Sequence, residues 1–261
     1  MAQMVDVALK SVSFRYNSKQ SLVLNGTTLF VEHGEFVGLL GPNGSGKTTM
    51  LRIIAGLFPV SDGEVKVCGM NPLKIGRKKL AKIVGFVTQD FIPIYDYTVK
   101  QIVLSGRLPY AKTFFSTWTD KDLEAVKEAL RKVDAERFIE RSFHSLSTGE
   151  QKRVAMARIL AQNTPVILLD EPTAHLDPGH VVEIKNVLAH LHKEGKTIIA
   201  AFHDVNIASE LCTRIVFMKS GKILFDGPPE KIITEKTLEL IYDTKFHVIK
   251  NPETGKLIVV Y

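Results

Sequence analysis

The sequence lacks several features that define membrane, secreted or disulfide-stabilised proteins. No run approaches the roughly 20 consecutive apolar residues that a membrane-spanning helix requires. The 2 cysteines among 261 residues, Cys68 and Cys212, are too few and too far apart to indicate a disulfide framework or a metal site. Residues 1–6 lack the basic and apolar regions of a signal peptide. We therefore expect a cytosolic chain.

The sequence also lacks internal repeats, low-complexity segments and long blocks of one charge. Its net charge of +6 suits an acidic ligand, nucleic acid or a lipid surface, but the lysines and arginines are dispersed. We interpret this balance as a solvated surface and expect no direct nucleic-acid partner. Apolar residues make up 45% of the chain and charged residues 24%, which is enough apolar content for a sizeable core.

A glycine-rich loop is the most specific motif present. It fits the pattern G-x-x-x-x-G-K-[ST] and consists of Gly41, Pro42, Asn43, Gly44, Ser45, Gly46, Lys47 and Thr48. An apolar, strand-like run precedes it at residues 35–40, and a helical pattern follows it from Thr49. A flexible Gly/Ser turn is the alternative interpretation, but it does not explain a strand and a helix on either side.

This context predicts a phosphate-binding site. Glycines lack a Cβ atom, so the backbone can curl until successive N–H groups surround phosphate oxygens. The helix that follows directs its partially positive end at the same oxygens. Lys47 adds a full charge towards the β- and γ-phosphates, and the Thr48 hydroxyl is placed to bind Mg²⁺. We expect ATP and Mg²⁺ as cofactors, with Thr49 also contacting the nucleotide.

Apolar runs that alternate with helical patterns predict an α/β fold with a parallel sheet. Strands buried on both faces are predicted at residues 166–169, 197–202 and 215–218. Residues 5–16 and 22–32, together with 35–40, predict a small N-terminal β region. Mostly helical patterns follow from residue 98 to residue 162, and residues 119–122 form a capping box there. We expect residues 1–227 to form one domain, with a helical subdomain inserted at about 90–162. Residues 228–261 are expected to form a helical and β-hairpin extension.

Two adjacent carboxylates close the apolar run 166–169. Asp170, at the carboxyl end of a core strand, is expected beside the phosphate loop, where it can hold Mg²⁺. Glu171 points elsewhere and can polarise a water for attack on the γ-phosphate. A bound metal offsets the repulsion between the two acids, which otherwise raise each other's pKa.

Residues 146–150, with the sequence Leu-Ser-Thr-Gly-Glu, precede a long helical pattern. With the phosphate loop and the Asp170-Glu171 pair, this stretch resembles the nucleotide-binding subunit of an ATP-binding cassette (ABC) transporter. It matches the family's LSGGQ signature except that Thr148 replaces the first glycine and Glu150 replaces glutamine. Taken alone, Ser147 and Glu150 also fit a helix capping box.

The resemblance implies a P-loop NTPase (RecA-like) core with an N-terminal antiparallel β region and an inserted helical subdomain. It implies roles for residues in the family's usual order. Tyr16 stacks on adenine, with Phe14 as the alternative, and Gln89 contacts Mg²⁺ and the attacking water. Ser147, Thr148, Gly149 and Glu150 face the nucleotide of the other subunit. Asp177 communicates between subunits, and the pair Asp177-Pro178 also predicts a helix start with Asp177 as its cap. His203 contacts the γ-phosphate. Glu171, His203 and Gln89 are the predicted catalytic residues, and Thr48, Gln89 and Asp170 the predicted metal ligands.

The resemblance further implies a head-to-tail homodimer that closes on two ATP molecules at the cytoplasmic face of the membrane. The translocation pathway would be a separate permease, which contacts the aromatic-rich region from Gln89 to Trp118, and a substrate-binding protein would take part indirectly. Several of these aromatic residues are alternatively core of the helical subdomain. Residues 103–110 and His175 resemble the iron–siderophore, haem and cobalamin importer ATPases, although metal-ion importers look similar here.

Two other classes of ABC ATPase are alternatives to a transporter subunit. A soluble ABC scaffold ATPase of the iron–sulfur cluster assembly type has a similar size and also lacks membrane spans. A DNA-linked ABC ATPase needs a long coiled coil between the phosphate loop and the signature. The interval 49–146 is too short for one and lacks heptads, so this class is excluded.

Overall fold

The structure is a computed structural model that describes residues 4–89, 91–112, 118–252 and 255–260. The strands are β1 (Val5–Phe14), β2 (Leu24–Glu32), β3 (Phe36–Leu40), β4 (Asp62–Val67), β5 (Val84–Val87), β6 (Val166–Asp170), β7 (Thr197–Ala201), β8 (Arg214–Lys219), β9 (Lys222–Gly227), β10 (His247–Lys250) and β11 (Leu257–Val260). The helices are α1 (Lys47–Ile54), α2 (Arg77–Leu80), α3 (Val99–Ser105), α4 (Asp120–Lys132), α5 (Thr148–Gln162), α6 (Pro178–Lys193), α7 (Val205–Leu211), α8 (Pro229–Ile232) and α9 (Glu235–Tyr242).

A central sheet with the strand order β5-β6-β7-β3-β8-β9 organises the fold. Its strands are parallel from β5 to β8, as the continuous apolar runs predict. Strand β9 was not predicted and pairs antiparallel with β8 at the edge. Among the described residues, no helix is both long enough and apolar enough to cross a membrane.

Each central strand sends alternate side chains into two apolar cores, one on each face of the sheet. In β6, Ile167 and Leu169 pack in the core that includes α3 to α6. Val166 and Leu168 pack in the core that includes α1 and the N-terminal strands. Because successive strand residues point to opposite faces, a strand covered on both faces shows a continuous apolar run rather than an alternating one.

The N-terminal β region is a separate antiparallel sheet with the order β2-β1-β4. The prediction that residues 35–40 belong to it was wrong, because Phe36–Leu40 lies in the central sheet and β4 takes the third place. The predicted strand over residues 5–16 ends at Phe14, so Tyr16 lies outside it.

Helices α3, α4 and α5 lie between β5 and β6, in the region predicted to be helical. Each begins with a reciprocal capping box, at Thr98, Thr119 and Ser147 respectively. Arg107 joins this group because its Nε donates to Asp122 Oδ1 of α4 at 2.9 Å and its Nη1 donates to the Ala161 carbonyl of α5 at 2.9 Å. These contacts connect the start of α4 to the C-terminal end of α5.

The C-terminal part contains the two predicted helices, α8 and α9, and the predicted hairpin of β10 and β11. The hairpin packs on α7, a helix that was not predicted. The Asn206 side chain accepts from the Val259 N–H at 2.7 Å and donates to its carbonyl at 3.0 Å. This paired contact attaches the last strand to the helix that follows β7.

Candidate functional site

The predicted site residues follow the carboxyl ends of neighbouring parallel strands. The glycine-rich loop follows β3, Asp170 ends β6, His203 lies two residues beyond β7, and Gln89 lies two residues beyond β5. Because these strands are adjacent and parallel, their carboxyl ends share one edge of the sheet. The fold therefore brings together residues that are up to 162 positions apart, the separation of Gly41 from His203.

The glycine-rich loop requires glycine at two positions. Gly41 has φ 143°, and a Cβ there would lie 2.0 Å from the Met218 carbonyl oxygen. Gly46 has φ 104°, and a Cβ there would lie 2.9 Å from the Val23 carbonyl oxygen. Side chains rarely adopt these backbone conformations. A cleft of about 480 Å³ lies over the loop, lined by Tyr16, Val23, residues 43–49 and Glu171.

Lys47 is a buried cation at the base of this cleft. Its Nζ donates to the carbonyl oxygens of Gly41 at 2.7 Å and Pro42 at 3.2 Å. Burial lowers the pKa of Lys47, whereas the charges of Glu171 and Asp170 oppose that shift. The ammonium group therefore lies where an added anion is favoured electrostatically.

Thr48 and Asp170 form the direct contact between the loop helix and β6. The Thr48 hydroxyl donates to Asp170 Oδ1 at 2.9 Å. Strand alternation places Asp170 on the face of Val166 and Leu168, which is the face that α1 covers. Burial raises the pKa of Asp170, and the hydrogen bond from Thr48 partly opposes that rise.

Replacing Asp170 by asparagine is expected to raise the midpoint of thermal unfolding without nucleotide by roughly 2–4 °C, or about 1 kcal/mol. The amide keeps an oxygen acceptor for Thr48 but removes a charge that is costly to bury. The folded-state pKa lies above the unfolded value of about 3.9. Wild-type stability therefore falls as pH rises from that value through the folded-state pKa, and the Asp170→Asn protein lacks this loss.

Thermal scans followed by circular dichroism from pH 4 to pH 8 measure the difference between the two proteins. It should grow with pH and then level off. Asp62→Asn, at an exposed carboxylate, is the matched control. An Asp170→Asn protein less stable than wild type at pH 8 would contradict the argument.

Glu171 and His203 meet beside the cleft. Glu171 Oε1 and His203 Nε2 form a hydrogen bond across the ends of β6 and β7. Glu171 has φ 54°, a left-handed conformation that is uncommon for a residue other than glycine, and its N–H donates to the Ala201 carbonyl at 3.1 Å. The two neighbouring carboxylates therefore have different partners: Glu171 bonds to His203, whereas Asp170 bonds to Thr48.

Tyr16 borders the cleft, and the structure distinguishes it from Phe14. Phe14 is 5% exposed within the N-terminal core, whereas Tyr16 is 50% exposed. The Tyr16 hydroxyl lies 3.0 Å from Thr49 Oγ1, and its ring meets that of Phe58 edge-on at 5.6 Å. Tyr16 therefore offers an accessible aromatic ring beside the loop, which Phe14 does not.

Gln89 lines a second cavity of about 230 Å³ between the end of β5 and the first turns of α5. Thr148, Lys152, Asp170 and Glu171 also line it. Gln89 is not among the residues that line the cleft over the loop, whereas Glu171 lines both spaces. The carboxylate of Glu171 therefore connects the two halves of the predicted site.

The signature residues lie at the N-terminus of α5 and do not line the cleft over the loop of their own chain. The Ser147 N–H donates to Glu150 Oε2 at 2.8 Å, so the capping box inferred from the sequence is present. This bond lowers the pKa of Glu150. Ser147 and Thr148 are exposed, whereas Gly149 is buried.

Asp177 caps α6, as predicted, because its Oδ1 accepts from the His180 N–H at 3.1 Å. His175, in the same turn, lines the second cavity and has φ 60°. The segment from Asp170 to α6 is thus placed between the cleft and the first turn of α5.

Two residues near these motifs were missed at the sequence level. The Lys152 Nζ donates to the main-chain carbonyls of Glu171 and Ala174, which ties α5 to the segment after β6. Nothing in the sequence distinguishes this lysine from a surface lysine. His180 packs against Gly149 and bonds to Asp177. Its position three residues after a capping aspartate was the available signal.

A profile of the ABC transporter family matches residues 24–174, more than half of the chain. The chain belongs to the ABC transporter family. This result confirms the resemblance drawn from the phosphate loop, the signature and the Asp170-Glu171 pair. Members of this ATP-binding type are ATPases, so the predicted enzyme class is also confirmed.

Alignments with named relatives extend beyond residues 24–174, the region that the profile matches. The chain is 33% identical over 239 residues to the ferric enterobactin transport ATP-binding protein FepC of Escherichia coli (strain K12), a match that covers 91% of this chain and 88% of FepC. It is 35% identical over 238 residues to the hemin import ATP-binding protein HmuV of Streptomyces coelicolor, covering 91% of this chain and 84% of HmuV. Among the relatives compared, the chain spans between 54% and 92% of the relative's own length.

A solved structure of a metal-chelate type ABC transporter in an inward-facing conformation has the same fold. The TM-score is 0.85, with 98% of this chain and 97% of that chain covered at 23% identity. The predicted α/β fold class is therefore confirmed. Together, these matches favour the ATP-binding subunit of an ABC transporter over the iron–sulfur scaffold alternative.

Proposed function

We propose that this cassette powers the import of a metal chelate, such as an iron–siderophore, haem or cobalamin, through a separate permease. The observation that carries the proposal is the meeting of Lys47, Asp170, Glu171 and His203 at one sheet edge, next to an exposed apolar segment. The first group hydrolyses ATP, and the second contacts the permease. Relatives named for ferric enterobactin and hemin support the cargo class.

Thr48 and Asp170 have the donor set that Mg²⁺ prefers, a hydroxyl and a carboxylate. The burial of Asp170 supports this assignment. Burial raises the pKa of the carboxyl group, and a bound cation would add to the opposing effects of the Thr48 hydrogen bond and the charges of Arg52 and Lys47. Gln89 is the third proposed ligand. Mg²⁺ would neutralise charge on the β- and γ-phosphate oxygens when bound.

The other residues of the cleft bind and orient ATP. Tyr16 stacks on the adenine, the loop N–H groups surround the phosphates, and Lys47 neutralises their charge. Glu171 orients a water and accepts its proton, while its hydrogen bond with His203 fixes the carboxylate. Glu171 lines both the cleft over the loop and the second cavity, which Gln89 also lines. Gln89 can therefore act on the Glu171 carboxylate from the side of the permease.

The position of the signature supports a head-to-tail homodimer. Ser147 and Thr148 are exposed, carry hydroxyl groups and lie at a helix N-terminus, where anions bind favourably. They do not line the cleft of their own chain. In the proposed dimer, each subunit therefore caps the ATP held by the other subunit with Ser147, Thr148, Gly149 and Glu150. Asp177 lies between the two subunits.

The exposed apolar segment comprises residues 91–97, directly after the position of Gln89. Ile92, Ile94 and Tyr95 are largely exposed, and Tyr97 and Trp118 are partly exposed. Phe91 instead packs on Phe143 in the core, which the sequence had left open. Phe114 and Phe115, which fall within the predicted contact region from Gln89 to Trp118, lie outside the described residues. Apolar side chains at this exposure suit a helix of a membrane partner.

Replacing Ile94 by aspartate is expected to abolish permease-stimulated ATP hydrolysis while basal hydrolysis stays unchanged. Ile94 is 92% exposed, so the change costs the fold little, but a carboxylate in an apolar interface is strongly unfavourable. Co-purification with the permease from detergent-solubilised native membranes is measured in the Glu171→Gln background. ATP hydrolysis in proteoliposomes is measured with Ile94→Asp in the protein that keeps Glu171.

Leu240→Asp is the matched control, because Leu240 is 52% exposed on α9, in a different part of the fold. It should retain the permease. Capture of only soluble partners by the parent protein would support the scaffold function instead. Retention of the permease by Ile94→Asp would remove residues 91–97 from the interface. A recovered permease complex would also place the cassette at the cytoplasmic face, with any substrate-binding protein bound indirectly.

A further inference from the structure

One imidazole ring connects the first turn of α6 with the first turn of α5. His180 Nδ1 lies 2.6 Å from Asp177 Oδ2, so the ring is held by the residue that caps its own helix. A Cβ built on Gly149 would lie 2.5 Å from both Cγ and Cδ2 of His180 and 2.7 Å from its Nε2. The ring occupies the space that any other side chain at position 149 would need.

The backbone does not explain why position 149 is glycine. Gly149 lies within α5 and has no positive φ, so it adopts a conformation open to every residue. Glycine inside a helix is less favourable than alanine. The nearest heavy atoms to its missing Cβ all belong to His180. A side chain at position 149 would therefore collide with this ring.

A second contact joins the same two helix faces. The buried guanidinium of Arg153, one turn further along α5, lies 3.4 Å from Glu183 Oε2. His180 and Glu183 lie three residues apart and share one face of α6, and the capping residue Asp177 precedes His180 by the same interval. This face of α6 therefore contacts α5 at two positions, His180–Gly149 and Glu183–Arg153. The His180–Gly149 contact is the one nearer the signature.

We propose that His180, anchored by Asp177, is a positioning residue that sets where the signature turn, residues 147–150, is presented to the nucleotide of the opposing subunit. This inference rests on the proposed ATP sandwich. It connects Asp177, at the subunit interface, to Ser147 and Thr148 within one chain. A shift of Asp177 on subunit closure is therefore transmitted to the turn that caps the partner's ATP.

The test measures ATP-driven dimerisation in the Glu171→Gln background by sedimentation velocity at increasing ATP concentration. We expect His180→Ala to raise the ATP concentration for half-maximal dimerisation by at least about tenfold, since a misplacement of about 1 Å can cost up to 10²-fold. Binding of a fluorescent ATP analogue to the monomer should stay unchanged, because the glycine-rich loop is intact. A general structural defect would weaken both. His190→Ala, at an exposed histidine further along α6, is the matched control.

A double substitution separates the packing role of Gly149 from direct nucleotide contact. Gly149→Ala alone should abolish dimerisation, because its Cβ displaces the His180 ring. Adding His180→Ala vacates that space, so the double variant should dimerise as well as His180→Ala alone. Such non-additivity is expected for two residues in direct contact.

The outcomes distinguish the two proposals. If the Glu171→Gln parent itself does not dimerise with ATP, the proposed sandwich fails, and this inference fails with it. If the parent dimerises but His180→Ala does so at the same ATP concentration, only the positioning role is overturned. A double variant no better than Gly149→Ala would also overturn it, because glycine would then be needed for the nucleotide rather than for the ring.

Discussion

Glu171→Gln is expected to lower the rate of ATP hydrolysis by about 10²–10⁴-fold, the range typical for loss of a general base. The amide has nearly the same shape and can still accept the hydrogen bond of His203, but it cannot take a proton from water. It also removes the like charge beside Asp170, so nucleotide affinity should be retained or improved. The protein should therefore bind ATP, dimerise and remain closed.

Release of phosphate under saturating ATP measures the rate, and size-exclusion chromatography with and without ATP measures the trapped dimer. Glu230→Gln, at an exposed glutamate in α8, controls for the loss of one negative charge. Undiminished turnover in the Glu171→Gln protein would exclude Glu171 as the base. Slow turnover without a dimer would keep its catalytic role but contradict the sandwich.

Lys47→Ala is expected to weaken nucleotide binding by about 10- to 100-fold. This estimate corresponds to about 1.5–3 kcal/mol for hydrogen bonds to a charged group. The loss has two parts, because the phosphates lose a charged donor and the carboxylates of Asp170 and Glu171 lose the cation between them and the loop. Burial already lowers the pKa of Lys47, so its ammonium group is partly desolvated and interacts strongly with an added anion.

Equilibrium binding of a fluorescent ATP analogue, with and without Mg²⁺, is the measurement. Lys74→Ala, at an exposed lysine outside the site, is the control. Wild-type affinity in the Lys47→Ala protein would contradict the assignment of the loop as the phosphate site. The two variants also separate two steps, because Lys47→Ala should bind ATP more weakly, whereas Glu171→Gln should bind ATP and hydrolyse it slowly.

The sequence alone determined the features that depend on neighbouring residues. The phosphate loop, the capping boxes at residues 119–122 and at Ser147, and the Asp177 cap involve groups within a few positions of one another. Their residue types dictate local backbone geometry. The buried strands were also predictable, because burial on both faces requires a continuous apolar run. Strand β9 was not, since its exposed and half-buried residues resemble an ordinary surface segment.

Only the tertiary structure decided which distant residues meet. The Thr48–Asp170 bond joins positions 122 residues apart, and the Glu171–His203 bond joins positions 32 apart. Both depend on the order of β6, β7 and β3 in the sheet, which no local pattern specifies. The choice of Tyr16 over Phe14 depended on where β1 ends, and the role of His180 depended on how α6 packs on α5. Contacts of this kind are fixed by the packing of whole elements, so residue type and spacing cannot reveal them.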